Sequence, residues 1–215
     1  MPVIPLTDAT RRPVQFPWAT VAIIVANILV FVMELQGGES YVTRWSVIPS
    51  ELSSGHHLIT LLTAMFMHAG WLHLIGNMVF LWAFGPEIED AMGTPRYLIF
   101  YGTGGVVAML AQTLAMPHST VPCLGASGAI AAVMGAFLVT FPGDRIKSLL
   151  LIGIFVQVTF IPAALLIGVW FLIQLFNVGA IAEVSTGGVA YLAHVAGLLF
   201  GVVTARLFES GEAGR

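Results

Sequence analysis

Charge is what this sequence has least of. Only 9% of its 215 residues are Asp, Glu, Lys or Arg, against about 25% in an ordinary soluble domain. A chain so poor in charge cannot cover a folded surface with water-compatible groups. With 58% hydrophobic residues it reads as an integral membrane protein of one bundle. The net charge of −3 and the lack of any basic tract give nucleic acid nothing to bind. A single cysteine, Cys123, excludes an internal disulfide framework and a multi-cysteine metal site. There is no His-Glu-x-x-His helix for a metalloprotease. No acid falls inside an expected span, which speaks against an aspartyl protease, and together with the lack of an inverted repeat against a transporter or channel.

What is present is a series of long apolar runs. A helix needs about 20 residues to cross a bilayer core. The first span is expected from Trp18 to about Met33, after a tail with Arg11 and Arg12. A basic tail before an apolar run also fits a signal peptide, but Glu34-Leu35-Gln36 is no cleavage site, so the span reads as retained. The stretch from Leu58 to Gly85 is too long for one upright helix. Its first part, to Gly70, is expected at the interface, with Trp71 to Phe84 crossing and a charged turn after it containing Glu87, Glu89, Asp90 and Arg96. The third span ends near Ala115 and the fourth runs from Ser127 to Phe141. Pro162 places the fifth near Ile161 to Phe176 and leaves Leu149 to Phe160 as a packed or interfacial segment. After a loop from Glu183 to Gly188, the sixth runs from Val189 to about Ala205. The expectation is an all-α bundle of six transmembrane helices over residues 18–207, with tails at 1–17 and 208–215. Arg11, Arg12, Arg96, Arg145, Lys147, Arg206 and Arg215 then share one side with both termini, and only Arg44 lies opposite, so the termini are expected to be cytoplasmic.

Two stripes of small residues organise the interior. Ser127, Ala131 and Gly135, with Gly128, Ala132 and Ala136, form adjacent ridges on the fourth span; Ala193, Gly197 and Gly201 form another on the sixth. Such faces let helix backbones approach closely in lipid. Ser127 opens its helix and His194 lies about one turn into the sixth, while His73 and Asn77, four apart, share a face at the start of the second. All four are expected at a similar shallow depth below the outer surface. A serine hydroxyl needs a base to become a nucleophile, and His194 is the candidate. Attack on a carbonyl creates an oxyanion, for which His73, Asn77 and the backbone N–H of Ser127 are candidate donors. With no acid in any span, the expectation is a Ser-His dyad.

Each of these features has a plainer reading when taken alone. The Gly-rich segment around Ser127 suits helix packing, and His194, His73 and Asn77 suit interhelical hydrogen bonding. His68 is expected to be structural or at a cavity mouth, and His56, His57 and His118 to be solvated loop residues. Cys123 precedes the fourth helix and has no base. Asn27, Gln112, Gln157, Gln174 and Asn177 read as interhelical or interfacial polar groups.

Taken together, His73-Leu74-Ile75-Gly76-Asn77, Gly125-Ala126-Ser127-Gly128 and Ala193-His194-Val195-Ala196-Gly197 with Gly201 resemble the motifs of rhomboid-family intramembrane serine proteases, over roughly Trp18 to Ala205. His68, five before His73, also matches a common family position. The resemblance implies the basic six-helix form, with Ser127 as nucleophile, His194 as base and His73 and Asn77 as oxyanion partners. It implies cleavage of transmembrane protein substrates within or near their membrane helices, at a multi-pass position in a prokaryotic plasma membrane, without metal or cofactor. The rival within the same resemblance is a non-catalytic rhomboid-like protein that binds membrane helices, which typically lacks the Ser-His pair kept here. Two departures stand out. Ile59-Thr60 replaces the Trp-Arg pair common in the family's first loop, and Ala131 replaces an aromatic that in some members packs on the catalytic histidine.

Overall fold

The computed structural model describes residues 3–153, 155–181 and 191–210. After a strand β1 (Val3–Asp8), the long helix α1 (Trp18–Trp45) is broken at Gly38, whose φ of 62° suits only glycine comfortably. Short helices α2 (Pro49–Ser53) and α3 (Thr60–Thr63), the latter extended by a 3-10 turn (Ala64–Phe66), lead to α4 (Trp71–Met92). The segment Thr60–Phe66 is bent 93° from α4, so the charge-free stretch breaks before the second long helix rather than running through it. Next come α5 (Thr94–Ala115), α6 (Ser127–Thr140), the strands β2 (Arg145–Ile152) and β3 (Phe155–Pro162), then α7 (Ala163–Ile181) and α8 (Tyr191–Phe208).

Helices α1, α5 and α8 are long and apolar enough to cross a membrane, and the bent pair ending in α4 makes a fourth; α6 and Ala163–Phe176 of α7 are shorter apolar helices. Large apolar side chains such as Leu98, Ile99, Leu114, Leu199 and Val203 stand exposed around the bundle. That surface suits lipid, and the chain is a multi-pass membrane protein.

Helix α6 forms the axis. Every residue from Gly128 to Phe137 is buried, with α4, α5 and α8 packed around it. The small-residue stripes meet as their spacing predicts. A Cβ on Gly197 would collide with the carbonyl oxygen of Gly128, one on Gly201 with that of Ala132, and one on Gly135 with that of Leu198. On the α5 side, a Cβ on Gly104 would lie 2.7 Å from the Ala132 Cβ. Backbone-to-backbone approach to α8 and backbone-to-methyl approach to α5 leave no room for bulk along α6.

Three sequence expectations are corrected. The chain is not all-α: β1, β2 and β3 form one antiparallel sheet in the order β1-β2-β3. The undecided segment Leu149 to Phe160 thus belongs to both arms of a hairpin, turned at Gly153 (φ 60°). Residues 145–152 and 155–162 are rich in Ile, Leu, Val and Phe, residues that favour strands as well as buried helices, and period alone cannot separate the two. The tail expected at residues 1–17 pairs with that hairpin through β1, which also packs on α4.

The third correction concerns acids. Helix α4 does not stop at Phe84 but runs to Met92, so Glu87 and Glu89 lie buried within it instead of in a solvated turn. Glu34 is likewise buried within α1. Two of these three acids, Glu89 and Glu34, are accommodated there by accepting backbone N–H groups. Glu89 accepts the free N–H groups of Ala19 (2.8 Å) and Thr20 (2.8 Å) in the first turn of α1, plus the Thr20 and Thr94 hydroxyls. Glu34 accepts the backbone N–H of His68 at 3.0 Å. Asn27, expected to bridge helices, instead donates within its own helix to the Ile23 carbonyl at 2.7 Å. Gln157 is exposed on β3, and the side chain of Asn177 and the loop from Glu183 to Gly188 lie outside the described residues.

Candidate active site

Ser127 sits at the first residue of α6 because the chain before it is held against the α2–α3 region. Val47 and Cys123 exchange two backbone hydrogen bonds (3.0 and 2.7 Å), and the N–H of Gly125 donates to the Ala64 carbonyl at 2.8 Å. Gly125 has φ 128°, and a Cβ there would lie 2.9 Å from His73 Cε1 and Nε2. Only glycine gives that backbone and leaves that room.

The α6–α8 approach then delivers His194. Its Nε2 lies 2.6 Å from Ser127 Oγ, and its other ring nitrogen, Nδ1, lies 2.8 Å from Gln174 Oε1 on α7. His194 is buried, and the Trp170 ring covers it at 5.5 Å between centroids. The aromatic absent at Ala131 is therefore supplied from α7. Ala131 itself stays small where the backbone of α8 passes, 3.3 Å from the position a Gly197 Cβ would take.

His73 and Asn77 line the same cavity as Ser127 and His194, a space of about 520 Å3. His73 Nδ1 accepts the backbone N–H of Ala69 at 3.4 Å, which leaves the proton on Nε2, the nitrogen nearest Gly125. Asn77 Nδ2 is buried and has no hydrogen-bond partner among the described residues. Two N–H donors thus stand free beside the serine. All four residues singled out in the sequence fall in one cavity. His68 is buried with its ring 5.0 Å from that of His73, a supporting rather than a cavity-lining place. His56, His57 and His118 are exposed. Cys123 lines the cavity, but burial pushes its thiol up to about 11, and its sulfur reaches only the Val121 carbonyl. It is no thiolate.

The sequence reading missed the partnership of Gln174 and Trp170 with His194. Their spacing of four, a polar group and an indole on one face of an otherwise apolar helix, was the available signal.

Comparison with known proteins decides the family. A rhomboid domain model matches residues 55–210. The chain belongs to the rhomboid family. It is 29% identical over 206 residues to the Rhomboid protease GluP of Bacillus subtilis, covering 92% of this chain and 36% of that protein. It is 32% identical over 148 residues to the chloroplastic Rhomboid-like protein 11 of Arabidopsis thaliana (66% of this chain, 49% of that one). It is 25% identical over 186 residues to the Rhomboid protease GlpG of Yersinia pestis (86% and 61%). This rhomboid chain spans between about a third and three fifths of the length of these relatives.

Proposed function

We propose that this rhomboid chain is an intramembrane serine endopeptidase that cleaves transmembrane or juxtamembrane segments of membrane proteins through a Ser127–His194 dyad. The observation that carries the reading is the 2.6 Å contact between Ser127 Oγ and His194 Nε2 within a cavity that also holds two unengaged N–H donors. His194 Nε2 takes the Ser127 proton as Oγ attacks the scissile carbonyl. The backbone N–H of Ser127, His73 Nε2–H and Asn77 Nδ2 donate to the oxyanion. The imidazolium passes its proton to the leaving amine, and the acyl-enzyme remains. Water then enters the cavity and attacks the acyl carbonyl as His194 takes its proton; His194 returns that proton to Ser127 Oγ as the carboxylic acid leaves. The names of the relatives, two of which are called rhomboid proteases, support the same reaction class.

The bundle is read as six crossings with cytoplasmic termini, which sets the cavity near the outer surface. The cavity wall includes Leu72, Gly76 and Phe80 of α4 and Trp170 of α7, and α7 leans on α8 and β3 rather than on α4. A substrate helix is read as entering between α4 and α7, unwinding there because a regular helix shields its carbonyls.

A serine-directed fluorophosphonate tests the nucleophile. Mass spectrometry is expected to find the adduct on Ser127, with labelling and cleavage both lost in Ser127→Ala and His194→Ala while the fold persists. Cleavage by Ser127→Ala would overturn the dyad, whereas neither labelling nor cleavage by the unsubstituted chain would favour the helix-binding alternative.

A further inference from the structure

The dyad leaves one ring nitrogen of the base unaccounted for, and the fold fills that place. His194 Nδ1 lies 2.8 Å from Gln174 Oε1, and the amide is itself oriented: Gln174 Nε2 donates to the Trp170 carbonyl one turn back on α7, at 3.4 Å. With Nε2 committed to that carbonyl, the oxygen faces His194, so Nδ1 carries the proton and donates it. Nε2 of His194 is then the unprotonated nitrogen, and it is the one facing Ser127. In the opposite tautomer Nε2 would bear a hydrogen and could not receive the serine proton.

We propose that Gln174 is a positioning residue that fixes the reactive tautomer and ring angle of His194, a role resting on the dyad reading above. It is an uncharged counterpart of the carboxylate in a Ser-His-Asp triad. A buried amide supplies the acceptor without the desolvation cost of burying a carboxylate. Gln174 is buried, and the Trp170 ring beside it limits rotation of the imidazole. The titratable side chains facing His194 among the described residues are Ser127 on α6, His73 on α4 and Tyr191 on its own helix. No described Asp or Glu lines the cavity to perform the same task.

The test is the rate at which the full chain reacts with a fluorophosphonate at Ser127, followed across pH, beside its thermal unfolding. Gln174→Leu removes the acceptor at similar size. It is expected to slow labelling by about 10²-fold, less than the about 10⁴-fold seen when a triad acceptor is replaced so that the wrong tautomer is held. Gln174→Glu restores an acceptor and adds charge. It is expected to keep reactivity and to move the acidic limb of the pH profile to higher pH, because a carboxylate favours the imidazolium. A merely structural side chain would not move that limb. Wild-type labelling by Gln174→Leu, or an unmoved limb in Gln174→Glu, would overturn the proposal while leaving the dyad intact. Absence of labelling at Ser127 in the unsubstituted chain would instead overturn the dyad, and this role with it.

Discussion

Gly197 of α8 packs directly on the Gly128 carbonyl of α6, with no room for a single methyl group between them. The Ser127–His194 pairing depends on that contact, because it sets the distance from His194, three residues before Gly197, to Ser127, one residue before Gly128. Gly197→Ala forces the helices apart or bends them. It is expected to cost about 3 kcal/mol, the upper end for overpacking, and to lower the unfolding temperature in detergent by roughly 5–10 °C. Gly168→Ala on α7 is the control, since a Cβ there meets nothing within 4 Å. It is expected to leave the unfolding temperature unchanged or slightly raised, alanine being the better helix former. Equal behaviour of the two variants would show that the α6–α8 contact is not tight.

Asn77 has a donor with no partner among the described residues, in the wall of the cavity that holds Ser127. Truncating a side chain that makes no hydrogen bond in the resting fold breaks no such bond and removes an unsatisfied buried donor, so little stability is lost. Asn77→Ala is therefore expected to unfold at the wild-type temperature but to cleave a model transmembrane substrate about 10²–10³-fold more slowly. An unchanged turnover would reassign Asn77 to packing.

Glu89 is expected to matter for stability alone. It holds two buried N–H groups at the start of α1 and stands at the opposite end of α4 from His73. Glu89→Ala leaves both donors unsatisfied at about 1–3 kcal/mol each, whereas Thr20→Val removes a hydroxyl bonded to Glu89 and, at 3.4 Å, to Tyr97, and costs about 1 kcal/mol. Thermal unfolding checks the order of the two. Fluorophosphonate labelling of the folded fraction is expected to stay at the wild-type rate in both.

These residues also mark what the sequence could and could not tell. Ser127, His194, His73 and Asn77 were legible because a polar group in an apolar run has few reasons to be there, and because small residues at spacing four name the faces that touch. The ends of α4 were not legible. Glu89 looks like part of a solvated turn until the N-terminus of α1, some 70 residues away in sequence, is seen to need an acceptor. Gln174 was visible as an interhelical polar group, but its partner was not, since the pairing depends on how α7 rotates against α8. The β2–β3 hairpin was hidden for a different reason: Leu149 to Ile152 is an apolar run without a period, which a strand and a buried helix share, and only Val156 to Phe160, with Gln157 and Thr159, alternates.

Docking of β1 carries a pH dependence. Burial pushes the Asp8 carboxyl up from 3.8 to about 6, and neighbouring Asp144 adds to the rise against the hydrogen bond from the Thr10 N–H. Burial also acts to raise Asp144, but hydrogen bonds with Arg11 and Asp8 outweigh it and hold that group below its ordinary value. A raised carboxyl binds more protons folded than unfolded, so its contribution is complete below 3.8 and lost as the pH climbs to about 6. Asp144 acts oppositely, contributing above its ordinary value and losing that as the pH falls below it. Asp8→Asn keeps the Oδ1 acceptor that Thr10 uses at 2.6 Å but cannot ionise. The unfolding temperature of the wild type is expected to fall more than that of Asp8→Asn between about pH 4 and about pH 7. Parallel curves for the two would show that Asp8 does not titrate in this range.

The path of the substrate is open to a direct test because labelling and proteolysis make different demands. A fluorophosphonate is small and needs only the cavity, whereas a transmembrane substrate on this reading must part α4 from α7. A pair of cysteines joining those two helices, in a chain with Cys123 replaced by Ser, locks that wall when oxidised. The oxidised protein is expected to label at Ser127 near the reduced rate yet to cleave a transmembrane substrate at least about tenfold more slowly, with full recovery on reduction. Equal cleavage in both redox states would rule out entry between α4 and α7. Loss of labelling and cleavage together would mean that the lock distorts Gln174 and Trp170, the groups through which α7 touches His194. Labelling is therefore read first: only a lock that leaves the Ser127 adduct forming at its normal rate reports on the door rather than on the chemistry behind it.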